Sequence, residues 1–152
     1  MSLIDVILSE TVRRLQVSKK IQRVHRPNRN GEFPKRHYEV VVFHEDPVTN
    51  VDLSQVGNPP KIAFDVEMRV AGFVRQDRND GNPLDRMLGE LAEEIQEMIT
   101  QPAHWHTFGG AALNAALGAY ETAINDDATA GVIVPCLVTY RVFENRPTVF
   151  SG

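Results

Sequence analysis

Ile62, Phe64, Val66, Met68 and Val70 alternate with Ala63, Asp65, Glu67, Arg69 and Ala71. A two-residue period of this kind predicts a half-buried strand with one wet face, as in an antiparallel sheet. His37–Glu45 alternates in the same way, with Tyr38, Val40, Val42 and His44 set against Glu39, Val41 and Phe43. Together the two segments predict an extended hairpin. Over Gly131–Glu144, Val132, Val134, Cys136, Val138, Tyr140 and Val142 oppose Ile133, Leu137, Thr139, Arg141 and Phe143. Both faces are largely apolar, so this strand is predicted to lie centrally, covered on both sides for part of its length. Pro135 lacks a backbone donor and argues against a full ladder on both flanks near the strand's start.

Two segments follow the helical period instead. Ile4, Ile7, Leu8, Thr11 and Leu15 form a stripe that predicts a helix over about 3–17, with Ser2 as cap and Asp5 completing a shortened capping box. Val17 to Val24 has the composition to begin a strand. Leu84, Leu88, Leu91, Ile95 and Met98 or Ile99 line one face of a second helix, about 83–100, introduced by Asn82-Pro83. Asp85, Glu90, Glu93, Glu94 and Glu97 take its other face, so the helix is expected to lie across the sheet.

Between these elements, Arg26–Pro34 is turn chemistry throughout, and Asp46–Pro60, with three prolines and one glycine, reads as a long exposed loop. Gly110–Ile124 is ambiguous. Its alanines favour helix. Its two glycines and the alternation of Leu113, Ala115, Leu117, Ala119 and Glu121 equally permit a strand paired with 131–144, turning at Asn125-Asp126-Asp127.

Composition narrows the class. The chain has 152 residues, 42% hydrophobic and 24% charged, which suits one globular domain and argues against disorder. No apolar run approaches the roughly 20 residues of a membrane helix. Met1–Asp5 lacks the basic start of a signal peptide, and the single Cys136 rules out an internal disulfide, so synthesis in a reducing cytoplasm is expected.

Charge is segregated along the chain. Nine of the sixteen basic residues lie between Arg13 and Arg36, where Glu32 is the only acid. Between Asp77 and Glu97, seven acids face only Arg78 and Arg86. The basic block lacks the interleaved aromatics and the helix pair that nucleic-acid reading requires. A solvated face explains it; so do complementary surfaces meeting between copies. On the second view the candidate subunit-interface residues are Arg13, Arg14, Lys19, Lys20 and Arg23 against Glu90, Glu93, Glu94 and Glu97.

No catalytic, cofactor or metal site assembles. His104 and His106 flank Trp105, but a zinc site needs three or four ligands and no partner has a recognisable spacing. Asp126-Asp127 and the helix acids would hold Mg²⁺ only if the fold converged them. Gly109-Gly110 lacks the Lys and Ser/Thr of a phosphate loop. Cys136 lies mid-strand, and Ser9, Ser18 and Ser54 occupy no nucleophile elbow.

The order of elements resembles the tail terminator, or tail completion, proteins of long-tailed bacteriophages. The residues that carry it are Leu3-Ile4-Asp5-Val6-Ile7, the strand Ile62–Val74, the helix Asp85–Met98, Trp105-His-Thr-Phe-Gly-Gly-Ala-Ala-Leu113 and the strand Val132–Val142. The likeness spans about 3–144; the region 25–36 and the tail Asn145–Gly152 have no counterpart in it. It implies an α+β fold: a mostly antiparallel β-sheet with two main helices packed on it, in a single domain, with Ala115–Thr122 as strand. It further implies a six-subunit ring on the head-proximal end of the tail tube, in the virion. The partners would be other copies of the chain, the tail tube protein and neck or connector proteins; DNA would at most pass through the ring. Another head–tail joining protein, and a small cytoplasmic enzyme or ligand-binding domain, remain the alternative classes.

Overall fold

The computed structural model describes residues 2–27, 38–55, 60–75, 83–124, 129–143 and 146–150. Helix α1 spans Leu3–Gln16 and begins with the expected capping box: the Ser2 hydroxyl accepts from the Asp5 N–H, and the Asp5 carboxylate accepts from the Ser2 N–H. Aspartate at the third position suffices, and two donors that a helix start leaves bare are satisfied. The hydrogen bond from Ser2 also holds the Asp5 carboxyl below its ordinary value. Helix α2 spans Leu84–Thr100 and buries Met87, Leu88, Leu91, Ala92, Ile95 and Ile99. Leu84 and Met98, expected on that face, are only partly buried and pack at the edge of the core. Pro83, expected in the first turn behind an Asn82 cap, is itself the N-cap, with extended backbone and no side-chain cap hydrogen bond; Asn82 lies outside the described residues.

The eight described strands form one sheet: β1 (Arg23–His25), β2 (Glu39–His44), β3 (Val48–Gln55), β4 (Lys61–Arg75), β5 (Asn114–Leu117), β6 (Glu121–Ile124), β7 (Thr129–Phe143) and β8 (Arg146–Phe150). Only β1 and β2 pair in parallel. At the centre β4 and β7 run antiparallel from Lys61↔Phe143 to Arg75↔Thr129. Each has an interrupted partner on its outer side. Along β4 lie β2 and then β3; along β7 lie β6, β5 and β8. The fold is therefore α+β, a mostly antiparallel sheet carrying its helices, and the expected hairpin is present as β2 paired with β4.

Even-numbered residues of β2, β4 and β7 face the helices. Val40, Val42, Val66, Met68, Val70, Val74, Val132, Val134, Cys136 and Val138 are all buried there with the inner faces of α1 and α2. A Cβ on Gly72 would stand 2.7 Å from Leu91 Cδ2 and 3.3 Å from Ile95 Cδ1. Glycine at this position lets α2 lie close on the central strands.

Four expectations need correction. Asp46–Pro60 is not loop throughout, because Val48–Gln55 pairs with β4. Pro47 and Pro60 do not prevent this: Pro47 precedes the strand and Pro60 follows it, so neither removes a ladder donor, and Pro59 lies outside the described residues. Val17 is the exposed C-cap of α1, and the strand expected from Val17–Val24 is only Arg23–His25. The strand expected over His37–Glu45 is confined to Glu39–His44, and His37 lies outside the described residues. The strand β7 is not covered on both faces. Leu137 is half exposed, Ile133, Thr139 and Arg141 are partly so, and no described helix lies over them.

Within Gly110–Ile124 the strand expected over Ala115–Thr122 is present in two pieces, β5 and β6, broken at 118–120, while 110–113 lies outside any strand. Leu117 pairs with Cys136 and Glu121 with Ile133, so Gly118, Ala119 and Tyr120 stand opposite only Val134 and Pro135. This is a one-residue bulge. The Gly118 N–H donates to the Pro135 carbonyl at 2.9 Å. In a strand a residue's N–H and C=O point the same way, so the donor missing from Pro135 faces this bulged side. The ladder breaks where the proline cannot contribute, as its position in the sequence implied. The expected turn at 125–127 lies outside the described residues.

Candidate functional site

The two charge blocks meet within a single chain. The segment after α1 runs beside α2, where Lys20 Nζ lies 3.4 Å from Glu90 and the Ser18 hydroxyl donates to Glu94 at 2.7 Å. The same Ser18 oxygen accepts from the N–H groups of Lys20 and Ile21, shaping the turn. Arg13 is tied to Glu10, Arg23 lies near Glu39, and Arg26 pairs with Asp5. Of the nine residues read as interface candidates, Lys19, Glu93 and Glu97 are exposed with no ion pair to another described residue. Lys20 and Glu90 have found each other, which weakens the case for pairing between copies.

Arg14 requires an outright correction: it is buried, not on a surface. It lies three residues after Thr11 and so continues the inner stripe of α1. Its Nε contacts Glu10 at 3.0 Å, while its Nη1 donates to the carbonyls of Ile99 and Trp105, both at 2.9 Å. The guanidinium carbon sits 4.6 Å from the centre of the Phe108 ring. The Ile99 carbonyl belongs to the last turn of α2, where helix geometry leaves acceptors unpaired. Arg14 therefore fastens α1 to the end of α2 and to the 3₁₀ segment Trp105–Gly110. The burial of its stem and the stacking of its planar head explain why a charge is tolerated in the core.

That 3₁₀ segment contains His106 and the double glycine, and His104 is its N-cap. Phe108 adopts φ 46° with its ring buried, and Gly109 and Gly110 follow at φ 73° and 94°. Left-handed backbone is costly for a bulky residue, and here the Phe108 ring is buried beneath Arg14. The run is a corner leading into β5, not a strand-to-helix phosphate loop. The rings of His104 and His106 meet edge to face with centroids 6.5 Å apart. Among the described residues no group of three or more His, Cys, Asp or Glu gathers as a metal would need. Asp126 and Asp127 lie outside those residues.

Burial pushes the Cys136 thiol up to about 12, so it carries no thiolate near neutrality. Ser54 donates to the Asn50 carbonyl and accepts from the Ala63 N–H, a structural pairing that anchors β3. Ser9 is exposed on α1.

What the fold does present is surface. The face of the sheet away from the helices carries Asp65, Glu67, Arg69, Thr139 and Arg141. Asp65 accepts from Thr139 at 2.6 Å and from the Asn50 amide, and Arg69 bridges Glu45 and Glu67. Along one edge, β3 is exposed on both faces, with Val48 at 67%, Val51 at 78% and Leu53 at 47%. Sequence reading passed over these three because prolines and polar residues surround them. Apolar side chains recurring in a supposed loop were the available signal.

No helix among the described residues is long and apolar enough to cross a membrane. No protein-family model matches the chain, and neither does any curated protein.

Proposed function

We propose that the chain is a structural virion protein that closes into a ring on the head-proximal end of a phage tail tube, ends its polymerisation and joins it to the neck. One observation supports this reading above the others. Local sequence leaves Gly110–Ile124 open between helix and strand, while the resemblance to tail terminators requires strand, and β5 and β6 occupy the segment. A cap of this kind needs no active site. It needs a rigid body with surfaces for its own copies, for the tube protein and for neck proteins. The helix-backed sheet with its exposed β3 suits that task. A ring of identical subunits matches the rotational symmetry of a tube through a single repeated contact. DNA would pass through the ring without sequence-specific contact.

The test is a phage genome lacking this gene, examined by electron microscopy. Tail tubes of uncontrolled length, or tails that never join heads, are the expected result. Normal-length tails on filled heads would overturn the proposal.

A further inference from the structure

Among the described residues six large hydrophobic side chains are exposed, and their placement is uneven. Val17 caps α1. Val48, Val51 and Leu53 lie on β3, and Tyr120 and Leu137 flank the β5–β6 edge. These two groups sit at opposite sides of the sheet, since β3 pairs outside β4 while β5 and β6 pair outside β7. Leu137 stands opposite Ala116 and Glu67 on the face without helices. A Cβ on Gly89 of α2 would come within 3.9 Å of the Tyr120 hydroxyl, which puts Tyr120 on the helix side. The β5–β6 edge thus has an exposed apolar group on each face.

A strand edge offers unpaired N–H and C=O groups to any passing strand, and proteins ordinarily blunt it with charge, proline or shortness. β1 follows that practice: it is three residues long, begins with exposed Arg23 and is followed by Pro27. β3 and the β5–β6 edge do not. Asp52 is the only charge on β3, and Glu121 the only charge from Asn114 to Ile124. Beyond their pairing with β4 and β7 respectively, neither has a strand partner among the described residues. The middle of the open face between them is polar.

We propose that β3 of one copy adds to the β5–β6 edge of the next, so that the sheet continues from subunit to subunit. Two different apolar edges on one chain are what a head-to-tail contact requires; a patch that meets itself would give a two-fold dimer instead. The branched side chains of β3 would pack against Ala116, Ala119 and Ala123, which are small and exposed and allow close approach. Backbone pairing would supply register, and the apolar flanks would supply affinity. This inference rests on the ring reading and names the contact that would build the ring.

Thiol cross-linking tests it, because Cys136 is fully buried and leaves the background silent. Full-length chains carrying Val51→Cys are mixed with chains carrying Ala116→Cys or Ala123→Cys and treated with a short bismaleimide. All three positions are exposed, and circular dichroism checks that each variant folds. The expected result is a cross-linked dimer in at least one mixture, absent from each variant alone. Adding Leu53→Lys to the Val51→Cys chain should abolish it. A chain carrying both cysteines should give a ladder ending at the size of the closed ring. No dimer in either mixture, or as much dimer from Val51→Cys alone, overturns the proposal. Electron microscopy of the untreated protein separates the two readings. Rings without the mixed cross-link sink the edge pairing and leave the ring standing. The mixed cross-link together with normal tails in the gene-deleted phage sinks the capping function and leaves the edge pairing standing.

Discussion

β2 and β3 are consecutive partners of one strand, yet they live in different surroundings. On the helix side of β2, Val40 and Val42 are fully buried; in β3, Val48 and Val51 stand 67% and 78% in solvent. Residue type is shared, so it does not account for the difference. What differs is the flank, since β2 lies between β1 and β4 while β3 pairs only with β4, and the layer above. α1 and α2 cover the part of the sheet that contains β2, and the chain passes beyond that cover after Pro47. The burial of Val40 and Val42 thus reflects both the helix cover and the inner place of β2 in the sheet. The uncovered half of the hairpin is then an arm held by backbone pairing, by Asn50 on Asp65 and by Ser54 on Ala63.

The sharpest way to break this contrast is to put the same charge on both halves. Val42→Asp would bury an unpaired carboxylate and should cost more than about 4 kcal/mol, or prevent folding. Val51→Asp should stay within about 0.5 kcal/mol of the parent. Urea denaturation reads both. Equal shifts would mean that the arm is packed after all.

Arg14→Ala probes the covered half from the helix side. It leaves the Ile99 and Trp105 carbonyls without their donor and removes the cover from Phe108, an expected loss of about 3 kcal/mol. Arg14→Lys should recover only part of it, since an ammonium lacks the planar fork that binds Glu10 through Nε and the two carbonyls through Nη1 while lying over a ring. Thermal denaturation of the pair of variants decides the matter, and full recovery by lysine would show that charge alone suffices.

A small effect is expected at the boundary between buried and exposed, at Glu10. Its carboxyl is held below its ordinary value, first by the hydrogen bond from Arg13 and then by the one from Arg14. A carboxyl lowered in the folded state stabilises the fold above its unfolded value. That contribution is lost as pH falls through the lowered folded value. The gap in stability between parent and Glu10→Gln should therefore be present at neutral pH and close in acid. It should be below about 1 kcal/mol, as for a solvent-screened pair. A gap that widens in acid would reverse the assignment.

The framework of the molecule was legible where one rule acted alone. The period of two in 62–71, the Ser2–Asp5 cap and the stripe Leu88, Leu91, Ile95 each have a local cause, and each is found in place. Pro135 was read correctly for the same reason, because a missing donor is a local fact. Failures came where neighbours decide. Prolines flanking 48–55 look like those inside a loop until the partner strand is known. Arg14 looks like a surface charge until the Ile99 carbonyl of α2, 85 positions later, and the Trp105 carbonyl arrive beside it. The contact of Lys20 with Glu90 was not legible either, because sequence does not say that the turn after α1 brings the two charge blocks side by side. Nothing local in Gly110–Ile124 separates helix from strand; the register against β7 does.

The β4–β7 seam also has a consequence in time. Its two strands are separated in the chain by α2, the 3₁₀ corner and two short strands, so closing it is a long-range event. Contacts of high sequence separation slow folding, because chain entropy is lost before they form. The β3–β4 and β6–β7 pairings, each near in sequence, are set to form early, and the central seam to form late. Until it closes, both fifteen-residue strands have a bare inner edge, longer than either edge left open in the finished sheet. The chain is thus most adhesive before it is complete. Folding of the subunit must outrun its encounter with other copies, and the order in which cells make and assemble it matters as much as its final surface.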